Sequence, residues 1–192
     1  MGTPIPEERS ERLVSCLLVA LPQLQDPNFR RTVILMTAHG DEGAMGLVLN
    51  RPTDAGLKEV LEGLGAPWNG DTEARVWSGG PVMPQSGWVL FGADPPSNDT
   101  GAAQVLPGIY ISQSAGTLRL LSRHPPARFR FFLGYSGWGP SQVETELAQG
   151  SWLILPAAPE LVFETPHEEL WSRCFETLGI RPDRIIPGEG LH

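Results

Sequence analysis

The chain has 192 residues, of which 41% are hydrophobic and 19% charged, with a formal net charge of −8. That composition supports a buried core in a single domain spanning 1–192, with 1–12 as a polar N-terminal extension and 181–192 as a C-terminal tail. Only 14 Lys and Arg are present, none in a cluster larger than Arg30-Arg31, so the basic stripe that phosphate recognition demands is missing and direct nucleic-acid binding is not expected.

Two cysteines, Cys16 and Cys174, lie in apolar surroundings with no C-x-x-C spacing, which reads as reduced core thiols of a cytoplasmic protein. The start, MGTPIPEERSERLVSC, carries acids and no apolar core of signal length. The longest apolar run, Cys16 to Leu21, is far too short for a membrane span. The 22 glycines and 19 prolines exceed average usage and predict many turns between short elements.

In chain order, Glu7 to Leu13 reads as a short polar helix and Val14 to Leu21 as a buried strand closed by Pro22. Asp26-Pro27-Asn28-Phe29 is a capped turn. Thr32 to Ala38 and Ala44 to Leu49 are strands around a hairpin-type turn, His39 to Gly43. Gly46 inside the second strand predicts a bulge or a close backbone neighbour. Apolar residues at Leu57, Val60, Leu61 and Leu64 define a helix face, with Gly65 as its cap. Ala74 to Trp77, Trp88 to Phe91 and Gly108 to Ser112 are short strands; Pro95 to Gly101 is a loop and Gly116 to Ser122 a short helix.

The chain's organising stretch is Phe129 to Glu146. Phe129 to Leu133 reads as a strand, with Phe129, Phe131 and Phe132 set against Arg128 and Arg130 on the other face. A loop built from Gly134, Gly137 and Gly139 follows, then a helix with Gly139 as N-cap, Pro140 at its first position and Gly150 as its end. Trp152 to Leu155 is a last strand, and Pro166 to Leu178 a helix capped by Thr165. Seven to eight short strands with tight turns and three or four helices make an α+β protein, mostly antiparallel, with helices packed outside.

Gly134-Tyr135-Ser136-Gly137-Trp138 approaches the nucleophile elbow G-x-S-x-G but has Trp138 where the last glycine belongs. A helix start after a glycine loop suits an anion, yet this loop has no Lys and no phosphate-loop order. The favoured reading is a tight turn with Tyr135 and Trp138 as core aromatics. Of His39, His124, His167 and His192, none pairs at a zinc-site spacing. His39, beside Asp41 and Glu42, reads first as a turn residue and second as a ligand contact. No metal or cofactor is expected, and no dinucleotide fingerprint follows any strand.

Leu21-Pro22, Asp26 to Phe29, Gly43-Ala44-Met45-Gly46, Asn50-Arg51-Pro52, Ser78-Gly79-Gly80-Pro81 and Gly134 to Trp138 occur in this order. That series resembles the YqgE/AlgH family of bacterial proteins, from about Leu13 to Leu178. The resemblance implies an α+β fold with a bifurcated sheet folded into a pseudo-barrel. It implies no established activity, and the family's transcriptional-regulator label does not demonstrate DNA binding. Ser15-Cys16 and Thr32 depart from a glycine and a serine common in the family.

Asn50-Arg51, Ser78-Gly79-Gly80 and Ser136-Gly137 all lie just past predicted strand ends. If those ends meet, a guanidinium, an amide and flexible backbone N–H groups face a carboxylate or phosphate. The competing reading pairs Arg51 with Glu144 or Glu146. The expected function is a non-enzymatic interaction or regulatory module with an unknown protein partner. The alternative is a protein that binds a small anionic ligand, or a hydrolase, working at the glycine loops.

Overall fold

The structure, a computed structural model, describes residues 13–185. Most of the expected Glu7 to Leu13 helix, the 1–12 extension and the end of the tail lie outside the described residues. The strands are β1 (Cys16–Ala20), β2 (Val33–Gly40), β3 (Gly43–Val48), β4 (Pro52–Gly56), β5 (Arg75–Ser78), β6 (Val82–Phe91), β7 (Ala103–Leu106), β8 (Ile109–Ser112), β9 (Phe129–Trp138) and β10 (Trp152–Pro156). The helices are α1 (Leu57–Gly63), α2 (Ala115–Arg123), α3 (Gln142–Ala148), α4 (Pro159–Phe163) and α5 (His167–Thr177). A 3₁₀ turn, Pro182–Arg184, opens the C-terminal tail.

Strand pairing follows the order β10-β1-β2-β3-β9-β6-β8-β7, an open path rather than a closed barrel. It forks at β9, where β5 also pairs, in parallel, through Trp77↔Phe132 and Ser78↔Leu133. The other pairings are antiparallel. The bifurcated α+β sheet is therefore present. The described residues group into two compact units: those up to Asn50 together with those from Ser136 onward, and Arg51–Tyr135.

In the first unit β1 is buried at all five positions because it lies between β10 and β2, which explains its unbroken apolar run. The β2–β3 hairpin turns at Asp41-Glu42, with Gly40 opposite Gly43. β2 thus runs past Ala38, and His39 is a strand residue, not a turn residue. At Gly46 a Cβ would stand 2.5 Å from Ile34 Cγ2 and 2.8 Å from the Leu35 carbonyl oxygen. Opposite it the register shifts between Met36 and Ala38, leaving Thr37 as a bulge. Both expected meanings of that glycine are realised together.

α5 buries Leu170, Trp171, Cys174 and Phe175. The Trp171 indole donates to the Ala20 carbonyl at 2.8 Å, tying α5 to β1. Its N-cap is Pro166. Thr165 does not cap it: the Thr165 hydroxyl donates backward to the Glu160 carbonyl at 3.2 Å, closing α4.

The second unit also contains β4 and β7, both missed: β4, PTDAG, begins with a proline and has no apolar pattern, and β7 is AQVL, with only two of its four residues buried. α1 buries Leu57 and Leu61 and ends with Gly65 at φ +72. Leu64, expected on the buried stripe, is 52% exposed.

β9 is the main correction. The expected glycine loop after Leu133 is a continuation of the strand to Trp138. Gly134 takes φ +70, and a Cβ there would clash with the Gly80 carbonyl oxygen, at 2.4 Å. Glycine here permits close approach within a sheet and does not turn the chain. α3 starts at Gln142 after Ser141 at φ +59, so Gly139 is not its N-cap and Pro140 is not its first residue. Phe132 shares the face of Arg130, not that of Phe131, as strand alternation requires. Both faces are buried: Phe131 is 2% exposed, Phe132 0% and Arg130 9%.

Trp138 is buried as expected. Its ring stacks on Phe29 with centroids 6.3 Å apart, and its indole donates to Glu146 Oε2 at 2.9 Å. Trp152 donates to the same oxygen at 2.8 Å. Trp138→Ala removes ring volume and one partner of a carboxylate. Urea melts should show a loss of about 3–5 kcal/mol; a loss below about 1 kcal/mol, the range of surface changes, would contradict this account.

Candidate functional site

Ser136 faces Gly46 across the β3–β9 ladder and is 0% exposed. A nucleophile elbow needs a sharp turn that lifts the hydroxyl into the open; a serine sealed in mid-strand does not provide one. Gly137, opposite Met45, lies in the same ladder. These two residues were expected beyond a strand end and lie inside the strand instead. His39 Nε2 is 2.5 Å from Glu144 Oε1, with side chains 5% and 25% exposed. This contact joins β2 to α3.

Asn50 extends the hairpin's hydrogen bonding. Its Oδ1 accepts from the Val33 N–H at 3.0 Å and its Nδ2 donates to the Arg31 carbonyl at 2.9 Å. This amide closes the backbone where β3 ends and β2 begins.

In the second unit the Ser78 N–H donates to the Arg51 carbonyl at 2.9 Å, and the Gly79 N–H donates to the Leu133 carbonyl at 2.9 Å. Arg51 and the Ser78-Gly79-Gly80 turn are therefore brought together. Gly79 is buried and its N–H is engaged in the sheet. Gly80, at φ +146, sits where its carbonyl meets Gly134. Nearby, the Arg130 guanidinium lies 4.3 Å over the Trp77 ring. Burial pushes Arg130 down to about 10, so it stays charged at neutral pH, held by the ring.

Sequence reasoning missed a cleft in this unit. It measures about 300 Å³ and is walled by Leu64, Ala66, Val89, Leu118 and Phe131, with Ser112 to Ala115 and Arg119 along its polar side. Ser114 caps α2, its Oγ accepting from the Thr117 N–H at 3.2 Å. Asp99, in the 95–101 loop, accepts from the Ser112 hydroxyl at 2.6 Å and from the Thr117 hydroxyl. Burial pushes the Asp99 carboxyl up, but these hydroxyls and the Gly101 and Ala102 N–H groups outweigh it and hold it below its ordinary value. The loop is thereby pinned to the start of α2.

Cys16 and Cys174 are free and buried. Burial pushes each thiol up to about 12. Among the described residues no group of three or more His, Cys, Asp or Glu is arranged to hold a metal ion. No helix among them is long and apolar enough to cross a membrane.

The forked, open sheet and the glycine-dependent crossing at β9 define an α+β protein whose signature residues build its ladders. The chain belongs to the AlgH-like family (DUF179), whose model matches residues 17–183. It is 41% identical over 187 residues to a UPF0301 protein of Myxococcus xanthus, covering 95% of this chain and 99% of that one. Over 179 residues it is 39% identical to a UPF0301 protein of Idiomarina loihiensis, covering 91% and 95% of the two chains. The solution structure of the AlgH protein from Pseudomonas aeruginosa matches with a TM-score of 0.75 at 32% identity, over the whole of both chains. A Corynebacterium diphtheriae protein, 20% identical over 92% of this chain and 90% of that one, shares the fold with a TM-score of 0.71.

Because only the thiolate reacts, a small disulfide reagent at pH 8 should leave both native cysteines unmodified and titrate both in urea. Fast labelling of native protein would refute their burial. For Asp99 the folded value lies below the unfolded one, so its stabilisation is present above about pH 3.9 and fades as pH falls through the folded value. Amide-exchange protection at Gly101 and Ala102, corrected for intrinsic rates, should therefore hold from pH 5 to about pH 4 and drop as pH falls further. Asp99→Asn should remove that dependence.

Proposed function

We propose that the chain is a cytosolic binding module that recognises its partner without transforming it. The observation that carries this reading is the burial of Ser136 within the β9 ladder. The motif's one hydroxyl nucleophile serves the sheet, while the histidine nearest the motif series, His39, is held by Glu144. Asn50 and Gly79 likewise direct their polar groups to backbone. Residues that would suit a hydrolase therefore support the architecture. The formal charge of −8 favours a protein or small-molecule partner over duplex DNA.

The cleft of the second unit, with Arg119 on its polar side, is the feature that suits recognition of a small anion. Regulation, on this reading, follows from occupancy and not from turnover.

The test is an activity-based fluorophosphonate probe on the native protein, followed by crosslinking and affinity capture. The probe should leave the protein unlabelled, because a reactive serine needs an accessible hydroxyl and a base within hydrogen-bond reach. Labelling that disappears in Ser136→Ala would overturn the proposal in favour of a hydrolase.

A further inference from the structure

The cleft joins two kinds of surface. Its apolar wall comes from Leu64 and Ala66 after α1, Val89 on β6, Leu118 on α2 and Phe131 on β9. At its floor Gly87 carries no side chain; a Cβ there would stand 2.8 Å from Phe131 Cζ. The ring edge therefore lies directly over the β6 backbone.

The polar side has one formal charge, Arg119, and one amide, Gln113. Both residues are exposed. Neither side chain has a hydrogen-bond or ion-pair partner among the described residues. The neighbouring polar groups are engaged: Ser112 donates to Asp99 and accepts from the Ser114 N–H, and Ser114 caps α2. Asp99 already supplies the negative charge that the start of α2 favours. An incoming anion is thus directed to the guanidinium and away from the helix end.

We infer that this cleft binds a small organic anion with an apolar body, its carboxylate on Arg119 and Gln113 and its body against Val89, Leu118 and Phe131. The inference rests on the binding-module reading and names a ligand class for it. A volume of about 300 Å³ matches the small end of ligand sites, where apolar lining supplies affinity and a few polar groups fix orientation. The guanidinium offers a planar fork matched to a carboxylate. Its exposure makes the charged contribution dependent on salt.

The probes are octanoate and 1-octanol, titrated separately into the full chain and followed by amide NMR shifts. Octanoate should give saturable shifts confined to residues around 64–66, 87–89, 112–119 and 131. Arg119→Gln, at an exposed position, should weaken octanoate about fivefold or more while leaving 1-octanol unchanged. Ala115→Phe, also at an exposed position on the wall, should block both probes.

Absence of saturable octanoate shifts, shifts centred elsewhere, or equal octanoate affinity in Arg119→Gln would each overturn the assignment. Such a result with the fluorophosphonate probe still inert would remove this cleft as the site and leave the non-enzymatic reading standing. Fluorophosphonate labelling lost in Ser136→Ala would instead remove that reading, whatever octanoate does.

Discussion

Close approach of backbone to backbone at β9 is the constraint from which the rest of the architecture follows. Ten residues run as one strand with side chains buried on both faces. Such a strand has no room for side chains where another backbone crosses it, and Gly134 under the Gly80 carbonyl is that place. The facing strand in the first unit repeats the solution at Gly46, against Ile34 and the Leu35 carbonyl. Each glycine loses more conformational freedom on folding than alanine would, at a cost of roughly 0.5–1 kcal/mol. In return, strands approach to hydrogen-bonding distance where any Cβ would collide.

Polar chemistry follows the same logic. Where the backbone ends without a partner, a side chain supplies one: the Asn50 amide between Val33 and Arg31, the Ser114 hydroxyl at α2 and the Asp99 carboxylate at the Gly101 N–H. Where a charge is buried or half-buried, an aromatic ring or an indole donor meets it. Arg130 lies over Trp77, and Glu146 accepts from Trp138 and Trp152. An uncompensated buried charge costs several kcal/mol, so these aromatics are electrostatic partners as well as core volume. Residues that look chemically capable in isolation are in this way engaged in holding the sheet. Arg119 and Gln113, on the cleft wall, are not.

Local patterns in the sequence carried much of the fold. The apolar run of β1 and the spacing of Leu170, Trp171, Cys174 and Phe175 both report burial that the structure contains. The family's motif order was equally legible. What misled was glycine, because the residue that permits a turn also permits a close crossing. Gly134 and Gly137 therefore read as a loop and proved to be strand. His39 suffered the same error by adjacency, one residue beyond where the hairpin was expected to open. The candidate cleft was invisible because its parts are distant in sequence: Leu64, Val89, Ser112 and Phe131 share no local pattern. Asp99 could not have been linked to Ser112 and Thr117 without knowing where the loop folds back.

The first unit is made from both ends of the described chain, with Cys16 to Ala20 paired to Trp152 to Pro156, while Arg51–Tyr135 is one uninterrupted segment. On the ribosome these halves mature in different orders. β1 emerges early and finds β2, but its other neighbour, β10, is translated only after the whole intervening unit. At roughly 5–20 residues per second the apolar edge of β1 waits several seconds for cover. Arg51–Tyr135 needs nothing translated later than its own last strand. The nascent chain thus carries an open, fully apolar strand edge longest in the part closest to its N-terminus, and that edge is where a holding chaperone would find its substrate.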